Sequence, residues 1–131
     1  MSANINAIFQ GILTIADETQ SNAPYITNLD LENPTLAATQ VLNQQFVQVA
    51  TSPGTTISFS FNAFLVLVWN RSLTASLQVN LNPTGGTINE VGILGPGGVM
   101  VLMDPAKANG WDGLALISGS GTIPATVVLA G

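Results

Sequence analysis

The apolar side chains of this chain recur at every second residue. Ile57, Phe59 and Phe61 alternate with Ser58, Ser60 and Asn62, and Leu77, Val79 and Leu81 alternate with Gln78, Asn80 and Asn82. Successive side chains of an extended strand point to opposite faces, so this pattern gathers the apolar groups on one side of a sheet. No long segment carries the 3.6-residue period that crossover helices need, which argues against an alternating β-α-β fold. Between the extended runs lie Ser52-Pro53-Gly54, Asn82-Pro83-Thr84-Gly85-Gly86, Gly95-Pro96-Gly97-Gly98, Ala108-Asn109-Gly110 and Gly119-Ser120-Gly121. Each supplies a proline with fixed φ or a glycine able to take positive φ, the chemistry of tight turns. Turn signals spaced in this way are those of an antiparallel sandwich or barrel.

The remaining segments fill in this outline. Residues 99–103 and 114–117 are apolar throughout and read as strands buried on both faces; residues 126–129 read as a final strand, with Pro124 at its start or on an edge. Residues 5–15 are largely apolar with a break at Gly11 and read as a strand or an arm, and residues 25–29 as a short strand. Pro34 after Asn33 is a helix-opening pair, which predicts a single helical turn over 34–39. Residues 41–50 alternate imperfectly, with Phe46, Val47 and Val49 as expected core contributors. The expected fold is all-β: an antiparallel two-sheet β-sandwich, jelly-roll-like, with very little helix. One domain spans 1–131, with 1–15 either an N-terminal arm or the first strand.

Charge is scarce. Only 7% of residues are charged while 47% are hydrophobic, where a soluble domain carries about a quarter of its residues as charges. No charged side chain lies between Glu32 and Arg71, and none follows Asp112. Charges keep surfaces apart, so the shortage predicts that the chain sits against something. A net charge of −5, with Arg71 and Lys107 as the only cations, argues against nucleic acid and against an anionic membrane surface. The N-terminus has no basic start and no sustained apolar stretch, so a signal peptide is not expected. The uninterrupted apolar runs fall far short of a spanning helix.

Candidate chemistry is thin. With neither histidine nor cysteine, thiolate and imidazole metal ligands, cysteine nucleophiles and the usual neutral-pH proton shuttle are absent. Ser118-Gly119-Ser120-Gly121 lacks the flanking pattern of a nucleophile elbow, and Gly95-Pro96-Gly97-Gly98 has neither a following helix nor a lysine to cradle phosphate. Asp17 and Glu18 are adjacent and diverge if extended; Asp30 and Glu32 share a face if extended, in a polar setting that reads as a solvated loop. Asp104 and Asp112 flank one loop and read as turn residues, not as calcium ligands, since no calcium-loop spacing surrounds them. The expectation is a non-enzyme with no cofactor and no metal. Asn70-Arg71-Ser72 spells a glycosylation acceptor and is read as accidental. Among the aromatics, Trp69 closes an apolar run and reads as core. Trp111, in an Asn-Gly-Trp-Asp-Gly turn, reads as an exposed contact for a glycan or a neighbouring subunit, with Tyr25 a further stacking candidate.

The order of motifs over 57–103 carries a resemblance. Thr56-Ile57-Ser58-Phe59-Ser60-Phe61 is followed by Phe64-Leu65-Val66-Leu67-Val68-Trp69-Asn70-Arg71. Next come Ser76-Leu77-Gln78-Val79-Asn80-Leu81 and the turn-and-strand run Leu94-Gly95-Pro96-Gly97-Gly98-Val99-Met100-Val101-Leu102. This resembles small tailed-bacteriophage virion structural proteins, the β-sandwich head-decoration and tail-associated families. The resemblance implies a non-enzymatic homo-oligomer that docks on other virion proteins such as the major capsid protein. It would be made in the host cytoplasm and end in the virion as a capsid decoration, or cement, protein. The alternative is a tail-associated carbohydrate-binding adhesin module. Under either reading the expected contact residues are Ile5, Ile8 and Phe9 of the arm, together with Tyr25 and Trp111.

Overall fold

A computed structural model of the chain describes residues 5–8, 12–17, 25–30, 35–39, 42–87, 89–104 and 106–131. The described residues are all-β, without helix. Twelve strands follow one another: β1 Ile5–Ile8, β2 Ile12–Asp17, β3 Tyr25–Asp30, β4 Thr35–Thr39, β5 Leu42–Val49, β6 Thr55–Ile57, β7 Leu65–Asn70, β8 Leu77–Pro83, β9 Asn89–Leu94, β10 Val99–Met103, β11 Trp111–Ser118 and β12 Ile123–Ala130.

Strands β5 to β12 build the sandwich. One four-stranded sheet has the order β10-β7-β12-β5 and the other β6-β11-β8-β9, antiparallel throughout. The pairing is nested: β5 with β12, β6 with β11, β7 with β10 and β8 with β9. The inner faces supply the core. Leu77, Val79, Leu81, Leu114 and Leu116 come from one sheet and Val66, Val68, Val127, Leu129 and Val49 from the other, all of them buried. Each fully buried aliphatic side chain stabilises the fold by about 1.5–3 kcal/mol relative to exposure.

All five turn motifs hold a glycine at positive φ: Gly54, Gly85, Gly97, Gly110 and Gly121. At Gly54 the requirement is also steric, since a Cβ there would lie 2.5 Å from the Leu116 carbonyl oxygen.

The first four strands form two-stranded pairs of their own. Ile5 lies opposite Thr39 and Ile8 opposite Thr35, while Ile12 lies opposite Asp30 and Asp17 opposite Tyr25. Neither β1 nor β2 joins a four-stranded sheet. The helical turn expected over 34–39 is not there: Thr35–Thr39 is a strand paired with β1. Pairing with β1 satisfies its backbone across the ladder, outweighing the local Asn-Pro start signal, which lies outside the described residues.

Other expectations need correction, and one cause underlies most of them. Residues 99–103 and 114–117 are not buried on both faces. β10 is an edge strand with Val99 54% exposed, and β11 alternates, with Leu114 and Leu116 buried between half-buried neighbours. Phe46 is not core; Val49 is fully buried, so the two-residue period turns Val47 inward and Phe46 outward, where it is 71% exposed. In β10 and β11 the outward side chains are apolar as well, and in β5 both faces mix apolar side chains with amides, so hydrophobicity alone hides which face is inside. The strand expected over 57–61 ends at Ile57, although Phe59 and Phe61 continue to pack inward without a ladder. Pro124 lies near the start of β12, a central strand, one residue before its pairing with β7 begins.

Candidate interaction surface

The two sheets have unlike outer faces. Directly opposed residues of neighbouring strands project to the same side, so the register defines rows across each sheet. On the β10-β7-β12-β5 sheet one outer row is Phe46, Thr126, Trp69 and Val99; the next is Gln44, Val128, Leu67 and Val101. A third continues through Ala130, Leu65 and Met103. No charged residue occurs in any of the three. On the other sheet the corresponding rows hold Thr56, Ala115, Asn80 and Glu90, then Ile117, Gln78 and Ile93. That face mixes polar groups and the charge of Glu90 with isoleucines, Ile93 being 62% exposed.

The first row is the most exposed part of the apolar face, with Trp69 41% exposed beside Phe46 and Val99. Thr126 between the two aromatics is buried, and its hydroxyl has no hydrogen-bond partner. The Arg71 guanidinium sits 5.2 Å from the centre of the Trp69 ring, a cation–π contact at the margin of the face.

Asn70 positions this end of the sheet. It is fully buried, and its Nδ2 donates to Ala75 O at 2.9 Å, Gly95 O at 2.9 Å and Leu94 O at 3.2 Å, while its Oδ1 accepts from the Ser72 N–H at 3.0 Å. One side chain thus ties the 71–76 loop to the 94–98 turn that leads into β10. The same burial withholds the Asn-Arg-Ser sequence from glycosylation in the folded chain.

A second feature is a shallow cleft of about 480 Å³ lined by Asn43, Ser58, Phe59, Ser60 and Phe61. Phe59 and Phe61 meet edge to face at 5.5 Å, and the Asn43 Oδ1 is buried without a partner.

The residues expected to make contacts are distributed as follows. Trp111 is half-buried and packs against the core, held by reciprocal backbone bonds with Ala63 at 2.7 and 2.8 Å. Trp69 is the exposed tryptophan, the reverse of the expected assignment, because outward residues of β7 are apolar too. Ile5 and Ile8 lie at the two ends of β1 and Tyr25 opens β3, opposite Asp17; Phe9 lies outside the described residues. Asp30 ends β3, and its proposed companion Glu32 is likewise outside them, as is Glu18.

Asp104 is engaged by its own loop, and Asp112, in β11, by the end of β8 and the turn after it. Asp104 Oδ2 accepts backbone N–H groups of Asn109 at 2.8 Å and Gly110 at 3.1 Å. The Asn109 N–H above all holds this carboxyl below its ordinary value of 3.8. Asp112 accepts from Asn82 Nδ2 at 2.7 Å and from the Gly85 N–H at 3.3 Å. Among the described residues no cluster of three or more acidic groups gathers to hold a metal ion.

Sequence reasoning missed the outer row because its members lie far apart in the chain. Only the register brings Phe46, Trp69, Val99 and Thr126 into line. No family model matches the chain, and neither a curated protein nor a solved structure matches it.

Proposed function

We propose that the chain is a non-enzymatic structural subunit that assembles with itself and docks on a larger protein particle. The kind of particle the motif resemblance points to is a phage virion, with the chain as a head-decoration subunit. The observation that carries this reading is the uncharged outer face of the β10-β7-β12-β5 sheet, where Phe46, Trp69 and Val99 stand in one exposed row. Contiguous exposed apolar surface on a soluble protein marks contact with another surface. The nested pairing of eight strands supports a jelly-roll winding, an architecture used in viral capsid and lectin domains. Sedimentation of the full chain across a concentration series, with and without candidate particles, tests the proposal. Mass growth or co-sedimentation supports it; a strict monomer that binds no particle overturns it.

A second reading, a tail-associated glycan-binding module, rests on the Phe59–Phe61 cleft with its Ser58, Ser60 and Asn43 polar groups. Aromatic rings flanked by hydroxyl and amide groups suit a sugar ring. A glycan array without a hit at high protein concentration removes this reading and leaves the first intact.

A further inference from the structure

Strand β5 is the long open edge of the apolar-faced sheet. Among the described strands its ladder is with β12 alone. The Arg71 N–H donates to Pro124 O at 3.0 Å, which turns the even-numbered residues of β12 toward β7 and the odd-numbered ones toward β5. Their opposite numbers, Asn43, Gln45, Val47 and Val49, therefore use the inner side of β5. The even-numbered residues direct their N–H and C=O groups outward from the sheet. At one end this free side is closed: the Ala50 N–H donates to Thr55 Oγ1 at 3.0 Å, and that hydroxyl donates to Gln48 O at 3.4 Å. Leu42, Gln44 and Phe46 keep an edge that no other described strand pairs with.

Natural edges are blunted by charge, proline, bulges or shortness. Strand β6 has three residues, β9 carries Glu90 and an irregular register, and β10 has five residues ending next to Asp104. Strand β5 has eight residues, Leu-Asn-Gln-Gln-Phe-Val-Gln-Val, without a charge, a proline or a register shift.

We infer that β5 pairs antiparallel with β5 of a second copy across a two-fold axis at Gln44. This register uses all three open residues: Gln44 faces Gln44 of the partner subunit, and Leu42 and Phe46 face each other reciprocally. Shifts that centre the axis at 43 or 45 bring Leu42 or Phe46 beyond the open stretch or against Gln48, whose carbonyl Thr55 already occupies. A second copy suits the edge on charge, because an uncharged edge offers no counter-charge to a charged partner and meets an uncharged one in itself. The pairing also runs the Phe46–Trp69–Val99 face of one subunit into that of the next, giving one continuous sheet of eight strands. An isologous contact of this kind closes as a dimer. This inference rests on the self-assembly reading and specifies its surface.

The test is the solution mass of the full chain and of two proline variants. Gln44→Pro removes an N–H from the open edge and leaves the β12 ladder untouched; Val101→Pro does the same on the open edge of β10. Gln44→Pro is expected to weaken dimerisation at least about tenfold, since two edge hydrogen bonds are lost per dimer, with Val101→Pro unchanged. The chain has no cysteine, so Gln44→Cys should form a disulfide dimer on mild oxidation while Ser120→Cys, on a distant turn, does not. The cysteine pair also decides the matter if Gln44→Pro fails to fold. A dimer insensitive to Gln44→Pro, one lost on Val101→Pro instead, or equal cross-linking of the two cysteine variants overturns the β5 contact while self-assembly stands. A wild-type monomer at every concentration overturns both.

Discussion

Replacing Asn70 with alanine should be the most damaging single polar substitution in the sandwich. The side chain is fully buried, and its amide satisfies acceptors on two loops while its carbonyl oxygen satisfies the Ser72 N–H. Two amide hydrogens serve three carbonyls, so the Leu94 contact at 3.2 Å is the weakest share. Alanine leaves Ala75 O and the Ser72 N–H without partners, both on buried residues, while Gly95 O keeps the Gly98 N–H at 3.0 Å. At about 1–3 kcal/mol for each of these two orphaned buried groups, the loss is about 2–6 kcal/mol. Native domains have only about 5–15 kcal/mol in all. Urea unfolding followed by the fluorescence of Trp69 and Trp111 measures it as a fall in midpoint at constant m-value. Asn70→Asp adds a sign test. Its carboxylate would face three carbonyl oxygens, raising its folded pKa above the unfolded value. A raised carboxyl pKa makes the folded state bind more protons, so this variant should be least stable at neutral pH and recover as pH falls toward about 4. A loss below about 1 kcal/mol in Asn70→Ala, or an Asn70→Asp variant that weakens further on mild acidification, would refute the reasoning.

Thr126→Val should be neutral or stabilising in thermal unfolding, because the buried hydroxyl has no partner and valine keeps its shape; a loss above about 1 kcal/mol would reveal a hydrogen bond. Gly54→Ala and Gly97→Ala separate steric demand from backbone demand. Both glycines have positive φ, but a Cβ at Gly54 meets the Leu116 backbone while one at Gly97 meets nothing within 4 Å. Gly97→Ala should cost about 1–2 kcal/mol and Gly54→Ala clearly more, and equal costs would contradict this. The depressed Asp104 carboxyl stabilises its loop above the unfolded carboxyl pKa, and the effect is lost as pH falls through the folded value. Hydrogen exchange at Asn109 and Gly110 should therefore gain an acid-side opening, beyond the intrinsic pH trend, that is absent in Asp104→Asn.

What the sequence disclosed depended on contrast between the two faces of a strand. Where polar residues alternate with apolar ones, as in Leu77-Gln78-Val79-Asn80-Leu81, orientation and burial follow directly, and β8 is as expected. The glycine turns were legible because positive φ is a local requirement. Trp69 and Phe46 were misassigned because β7 and β5 lack contrast: Val66 and Val68 face the core, Leu65 and Leu67 face out, and hydropathy does not distinguish them. Asn70 shows a different limit. Its sequence signature was visible at the end of a buried strand, but its partners at Leu94 and Gly95 are brought up by the turn between β9 and β10, 24 and 25 residues away. The contact row of Phe46, Trp69 and Val99 required register, a property of pairs of strands and not of any one of them.

The uncharged stretch between Glu32 and Arg71 divides physically in two. Inward positions of β5, β6 and β7, such as Val49, Ile57, Val66 and Val68, are core, where a charge would be excluded in any sandwich. Outward positions carry no such constraint. Lysine or glutamate at Gln44, Phe46, Leu67 or Trp69 would leave the inner packing as it is and would favour solubility. On the other sheet the equivalent rows interrupt their apolar members, Ala115, Ile117 and Ile93, with Thr56, Gln78, Asn80 and the charge of Glu90. Folding therefore accounts for the bareness of the inner face and not for that of the outer one. An apolar outer face raises the risk of indiscriminate association, and the open β5 edge beside it raises it further. A subunit whose outer sheet face and edge strand both become buried on assembly would have both features for one reason, and would need charge at neither.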